Sequence, residues 1–103
     1  MLTISALSTE YVKVPVAATE SGVDVNPVTD ALEMALMLPG YIPTDDDWFT
    51  GSWEVDSGTY YARVLVGPDG GVATLSRGLY EVYIKVADNP ETVVRRVGAV
   101  GVI

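Results

Sequence analysis

Asp45-Asp46-Asp47, followed directly by Trp48 and Phe49, is the one place where side chains able to bind a cation gather in this sequence. Calcium needs about six to eight oxygens, drawn from alternating positions of a glycine-bearing loop and completed by a later bidentate carboxylate. Three consecutive aspartates point in different directions and no such loop surrounds them. A solvated acidic loop is therefore the better reading. The two aromatics read equally well as interface anchors and as fillers of a core. Asp45, Asp46, Asp47, Trp48 and Phe49 together form the candidate interface, whereas Trp53 is assigned to the core.

Little else in the sequence offers itself to a reaction. Histidine and cysteine are both absent. That removes the commonest general base, the commonest metal ligand and any thiolate or disulfide chemistry. Hydroxyl side chains occur without a base or an oxyanion device beside them. Gly67-Pro68-Asp69-Gly70-Gly71 lacks the lysine and the following helix of a phosphate-cradling loop. Fourteen Asp and Glu residues would allow a close pair for glycoside chemistry, but nothing in the sequence marks a cleft to hold a sugar. Arg95-Arg96 reads as a partner for carboxylates, one residue facing outward and the other facing the core or an edge. The expectation is a chain that is not an enzyme and takes no cofactor or metal.

The formal charge of −8 disfavours direct contact with nucleic acid or an anionic membrane. No apolar run approaches the roughly 18 residues of a membrane span. Met1-Leu2-Thr3-Ile4-Ser5 has neither a basic region nor a long apolar stretch, so a secretion signal is not expected. The chain is read as made and kept in the cytoplasm of its producer until assembly or lysis.

The elements that must position these residues read as strands. Tyr11-Val12-Lys13-Val14-Pro15-Val16 alternates with period two, and Pro15 suits an edge strand. A turn region follows at Ser21–Pro27. Residues 28–38 are ambiguous: Ala31 to Leu38 are good helix formers that Asp30 could cap, yet Leu32, Met34, Leu36 and Leu38 alternate as a strand would. Pro39-Gly40 cuts the segment short, which favours strand. Short strands are expected at 53–55, 60–66 and 72–75, joined by turns at Asp56-Ser57-Gly58 and Gly67–Gly71. Tyr80 to Val86 alternates most cleanly, with Tyr80, Val82, Ile84 and Val86 inward. After a turn at 88–91, residues 93–103 form a last strand bent at Gly98 and Gly101. About seven or eight short strands in 103 residues predict one all-β domain over 1–103, a sandwich or barrel.

Leu75-Ser76-Arg77-Gly78-Leu79-Tyr80 resembles the tyrosine corner of immunoglobulin-like sandwiches, in which a tyrosine opening the penultimate strand bonds back to upstream backbone. Leu75, Gly78 and Tyr80 are its candidate members; the alternative is an ordinary half-buried strand tyrosine. The fold expected is thus an immunoglobulin-like β-sandwich.

A wider likeness runs through residues 2–16, Asp47-Trp48, Ser52-Trp53-Glu54, Arg63–Pro68 and Gly78–Glu91. These segments resemble small proteins encoded among the head and neck genes of tailed bacteriophages and prophages of actinobacteria. The resemblance implies a non-enzymatic virion component, at the capsid surface or the head–tail junction. It would be made in the bacterial host cytoplasm and would contact capsid, portal or neck subunits or further copies of itself. No functional residue carries over from it. The alternative is a free-standing β-sandwich module that recognises a carbohydrate or host protein through Trp48 and Phe49.

Overall fold

The computed structural model describes residues 2–16, 31–88 and 91–103. Its strands are β1 (Leu2–Ile4), β2 (Glu10–Pro15), β3 (Ala31–Met37), β4 (Phe49–Thr50), β5 (Ser52–Asp56), β6 (Thr59–Val66), β7 (Gly78–Asp88) and β8 (Glu91–Val102), with one 3-10 turn at Asp45–Asp47. They form a five-stranded sheet, β1-β8-β7-β3-β4, and a three-stranded sheet, β2-β6-β5. β1 runs parallel to β8, and the other described pairings are antiparallel. The chain is thus all-β, with the inner faces of two sheets sharing one core. The turn region at 21–27, residues 28–30, and Asn89 and Pro90 of the turn at 88–91 lie outside the described residues.

Strict alternation supplies the core. Val12 and Val14 of β2 and Ala62, Val64 and Val66 of β6 come from the smaller sheet; Val82, Ile84 and Val86 of β7 face them from the larger one. No polar or charged residue is buried among the described residues, and the hydroxyl of the core residue Tyr80 is hydrogen-bonded, as a buried polar group requires. Trp53 packs against this core, as do Phe49 and Leu75.

Within the ambiguous segment, Ala31–Met37 form a strand. β3 lies between β7 and β4, and Leu32 and Met34 are buried in the core while Leu36 packs against it. Helix propensity yields here because pairing with β7 over seven residues satisfies the backbone and buries the alternate side chains. Ala35, on the opposite face across from Tyr83, is fully buried as well. Leu38 falls beyond the strand and is exposed.

The short strand expected at Val72–Leu75 does not form. Gly67 and Gly70 take left-handed φ values of +129° and +89°, and the connection folds on itself. Gly67 N–H donates to the Ala73 carbonyl at 2.9 Å and Val72 N–H to the Leu65 carbonyl at 2.8 Å. Gly67 also presses on the neighbouring turn, where a Cβ would overlap the Ser8 carbonyl oxygen. The hairpin at Ser57-Gly58 is a two-residue turn with φ of +52° and +79°, the positive pair that a type I′ connection requires.

β8 carries a bulge. Val82 of β7 faces Gly98 but Tyr83 faces Arg96, which leaves Val97 as the extra residue. The insertion reverses the parity of β8. Before it, Val93 and Arg95 share the core side with Val86 and Ile84; after it, Gly98, Val100 and Val102 do. The expected bend at Gly98 coincides with this bulge, and a Cβ at Gly98 would meet Val14 Cγ1 at 3.3 Å.

Tyr80, 9% exposed, donates its hydroxyl to the Ser76 carbonyl at 2.9 Å. The bond ties the long connection to the start of β7. Tyr80→Phe leaves that carbonyl without its partner, at an expected cost of about 1–3 kcal/mol. Tyr83→Phe, on the outer face, should cost under about 0.5 kcal/mol. Urea unfolding of the two variants measures the difference, and equal small losses would show that the Ser76 bond contributes nothing.

Candidate interaction surfaces

The acidic run divides in use. Asp47 folds back on the residue that precedes the 3-10 turn: its Oδ2 accepts the Thr44 N–H at 2.8 Å and the Thr44 hydroxyl at 2.9 Å. These bonds, the backbone one foremost, hold its carboxyl below the ordinary carboxylate value. Asp45 and Asp46 remain exposed. The aromatics divide too. Phe49 enters β4 and packs against the core. Trp48 is half-buried, with the Lys85 ammonium 4.6 Å from its ring centre. Lys85 points outward from β7, so Trp48 lies at the outer face of the five-stranded sheet.

That outer face is laced by short-range pairs. Lys85 Nζ lies 3.9 Å from Glu33 of β3, its directly opposed partner, and Arg96 Nε lies 3.2 Å from Glu81. Of the five named interface candidates, only Asp45 and Asp46 are exposed, and Asp47, Trp48 and Phe49 are half-buried.

The outer face of the three-stranded sheet holds a denser network that the sequence reading missed. Lys13 of β2 stands directly opposite Arg63 of β6, a like-charge pairing that is unfavourable by itself. Glu54 of β5 relieves it. Its Oε2, shielded from solvent, lies 2.7 Å from Lys13 Nζ, and its Oε1 lies 3.6 Å from Arg63. Each cation also leans diagonally onto the tyrosine of the other strand, Lys13 4.8 Å from the Tyr61 ring centre and Arg63 4.5 Å from that of Tyr11. Arg63 Nε donates to Ser52 Oγ at 3.0 Å. One signal for this network exists in the sequence: Tyr11-Val12-Lys13 and Tyr61-Ala62-Arg63 share a tyrosine-x-cation pattern. Its meaning appears only once the antiparallel register is known.

The hydrogen bond from Lys13 holds the Glu54 carboxyl below its ordinary value, and the same bond holds the Lys13 ammonium above its own. Among the described residues no three His, Cys, Asp or Glu side chains converge to hold a metal ion. Among the described residues no helix is long and apolar enough to cross a membrane. No protein-family model matches the chain, and no curated protein matches it.

A carboxyl whose folded pKa is depressed contributes stability above its unfolded pKa and loses it as pH falls through the folded value. Glu54 and Asp47 therefore support the fold at neutral pH and cease to do so in acid, below the ordinary values of 4.5 and 3.8. Lys13 acts in the opposite sense: its contribution is complete below its ordinary value of 10.5 and vanishes as pH rises through the higher folded one. Glu54→Gln should lower the urea midpoint at pH 7 and flatten its decline on acidification. Asp46→Asn, which removes an exposed carboxylate, should leave stability at pH 7 within about 0.5 kcal/mol of wild type. Parallel acid limbs for wild type and Glu54→Gln would mean that the ion pairs contribute nothing to stability.

Proposed function

We propose that the chain is an immunoglobulin-like sandwich serving as a non-enzymatic structural component of a tailed-phage virion, at the capsid surface or the head–tail junction. The fold assignment draws on strand order. Variable-type immunoglobulin sandwiches place strands C′, C, F and G side by side in one sheet and B, E and D in the other. The runs β4-β3-β7-β8 and β2-β6-β5 follow that order. The Tyr80–Ser76 bond stands at the start of the strand that corresponds to F, where the tyrosine corner belongs. Two departures separate the chain from antibody domains. Val82, two residues after Tyr80, stands at the position of the second cysteine, and the core-packed tryptophan, Trp53, is on β5 rather than on β3.

The virion assignment draws on the resemblance of the five segments to phage head and neck proteins. The observation that carries it is how the surface is organised. Both outer faces tie their charged side chains into pairs within the sheet, while apolar side chains such as Leu7 and Ile42 stand exposed on connections. Such a surface suits packing against other subunits more than holding a reactant. A free-standing carbohydrate- or protein-binding module acting through Trp48 and Phe49 has less support. Phe49 packs against the core, and Lys85 sits over the Trp48 ring.

Quantitative mass spectrometry of purified particles tests the assignment. The chain should be present. Copies on the order of hundreds would indicate a capsid surface position, whereas about six to twelve, as a closed cyclic ring gives, would indicate the neck. Absence from particles would end the virion reading.

A further inference from the structure

The exposed apolar side chains are concentrated at one end of the molecule. β1, β3, β6 and β8 finish there and β2 and β7 begin there, as the pairings of Ile4 and Gly78 with Val102, Met37 with Glu81, and Glu10 with Val66 require. The connections at that end are tied together: Ala6 N–H donates to the Ile103 carbonyl at 2.8 Å, and Asp69 N–H to Thr9 Oγ1 at 2.9 Å. Among the described residues, every exposed large hydrophobic except Tyr11, Val55 and Val94 belongs to this end. The most exposed are Leu7 on the β1–β2 connection, 85%, Ile42 on the β3–β4 connection, 79%, and Ile103 after β8, 69%, with Tyr41 beside Ile42 at 64%.

Tyr41 and Ile42 are held out by a shaped backbone. Pro39 and Pro43 restrict φ on either side, Tyr41 N–H closes a turn onto the Leu38 carbonyl at 3.1 Å, and the Thr44–Asp47 bonds anchor the far side. A segment already ordered loses little entropy on binding. The charge around it is one-sided. Asp45, Asp46 and Asp69 are exposed at or beside this end, against Arg77. Lys13, Arg63, Lys85 and Arg96 are engaged by glutamates on the sheet faces.

We infer that this end is a docking surface on which Tyr41 and Ile42 enter an apolar, basic-rimmed pocket of a different protein. The acidic flank and the net charge of −8 disfavour a second copy, a nucleic acid or an anionic bilayer as the occupant. The inference rests on the virion reading only for where that protein is found.

Position-specific photo-crosslinking in cells producing the phage or prophage tests it, with p-benzoylphenylalanine replacing Ile42 in one variant and Val55 in a control. The expected result is an adduct from position 42 to one other protein, at an apolar residue flanked by Lys or Arg, and none from position 55. Adding Asp45→Lys and Asp46→Lys should cut the adduct about tenfold or more, since like charges then meet across the contact. Thermal melts confirm that the variants fold. No adduct at position 42, an adduct between two copies, or an adduct indifferent to the charge reversal would overturn the inference. An adduct to a protein absent from particles would leave the docking surface standing and sink the virion reading. A chain present in particles but without the adduct would do the reverse.

Discussion

β7 hydrogen-bonds to β3 on one side and β8 on the other, so its alternation fixes the facing of the whole larger sheet. A one-residue slip along it would turn Val82, Ile84 and Val86 to solvent and bring Glu81, Tyr83 and Lys85 against the smaller sheet. Burying those three in place of fully buried aliphatics would cost far more than a domain of this size has in reserve. The register of β7 is therefore the constraint on which the rest depends. It sets which residues of β3 meet β2 and β6 across the core, and it forces β8 to absorb its own mismatch at Val97.

What could be read in the sequence was mostly alternation. Tyr80 to Val86, Val12 with Val14, and Ala62 to Val66 each declare a buried face without help from distant residues. The Ser57-Gly58 hairpin is legible for the same local reason. β3 was legible only in part, because Ala31, Leu32, Met34 and Ala35 satisfy helical propensity and strand alternation together, and pairing with β7 decides between them. Val72–Leu75 misleads: its apolar content suggests a strand, but the left-handed glycines at 67 and 70 commit its backbone to the turn.

The candidate surfaces were less legible still. Three consecutive aspartates look equivalent in a sequence, yet Asp47 alone is bound to Thr44. Trp48 and Phe49 are neighbours that separate to different environments, one beneath Lys85 and one against the core. The Lys13–Glu54–Arg63 network joins three strands whose members are up to fifty positions apart, so no local window contains it. The bulge on β8 is hidden for a related reason. Val93, Val94, Val97, Val100 and Val102 fit neither parity throughout, and only pairing with β7 shows that both are used.

The parallel pairing of β1 with the end of β8 has a mechanical consequence. Leu2, Thr3 and Ile4 align with Val100, Gly101 and Val102 and run the same way. A pull on the chain before β1 and another on the chain after β8 act in opposite directions along two neighbouring strands. The hydrogen bonds between them lie across that pull, so they are sheared as a group and must give way together. An antiparallel arrangement of the same two strands would be unzipped one bond at a time. Tension carried through the two flanks of the molecule is thus resisted by its outermost strand pair before it reaches the core.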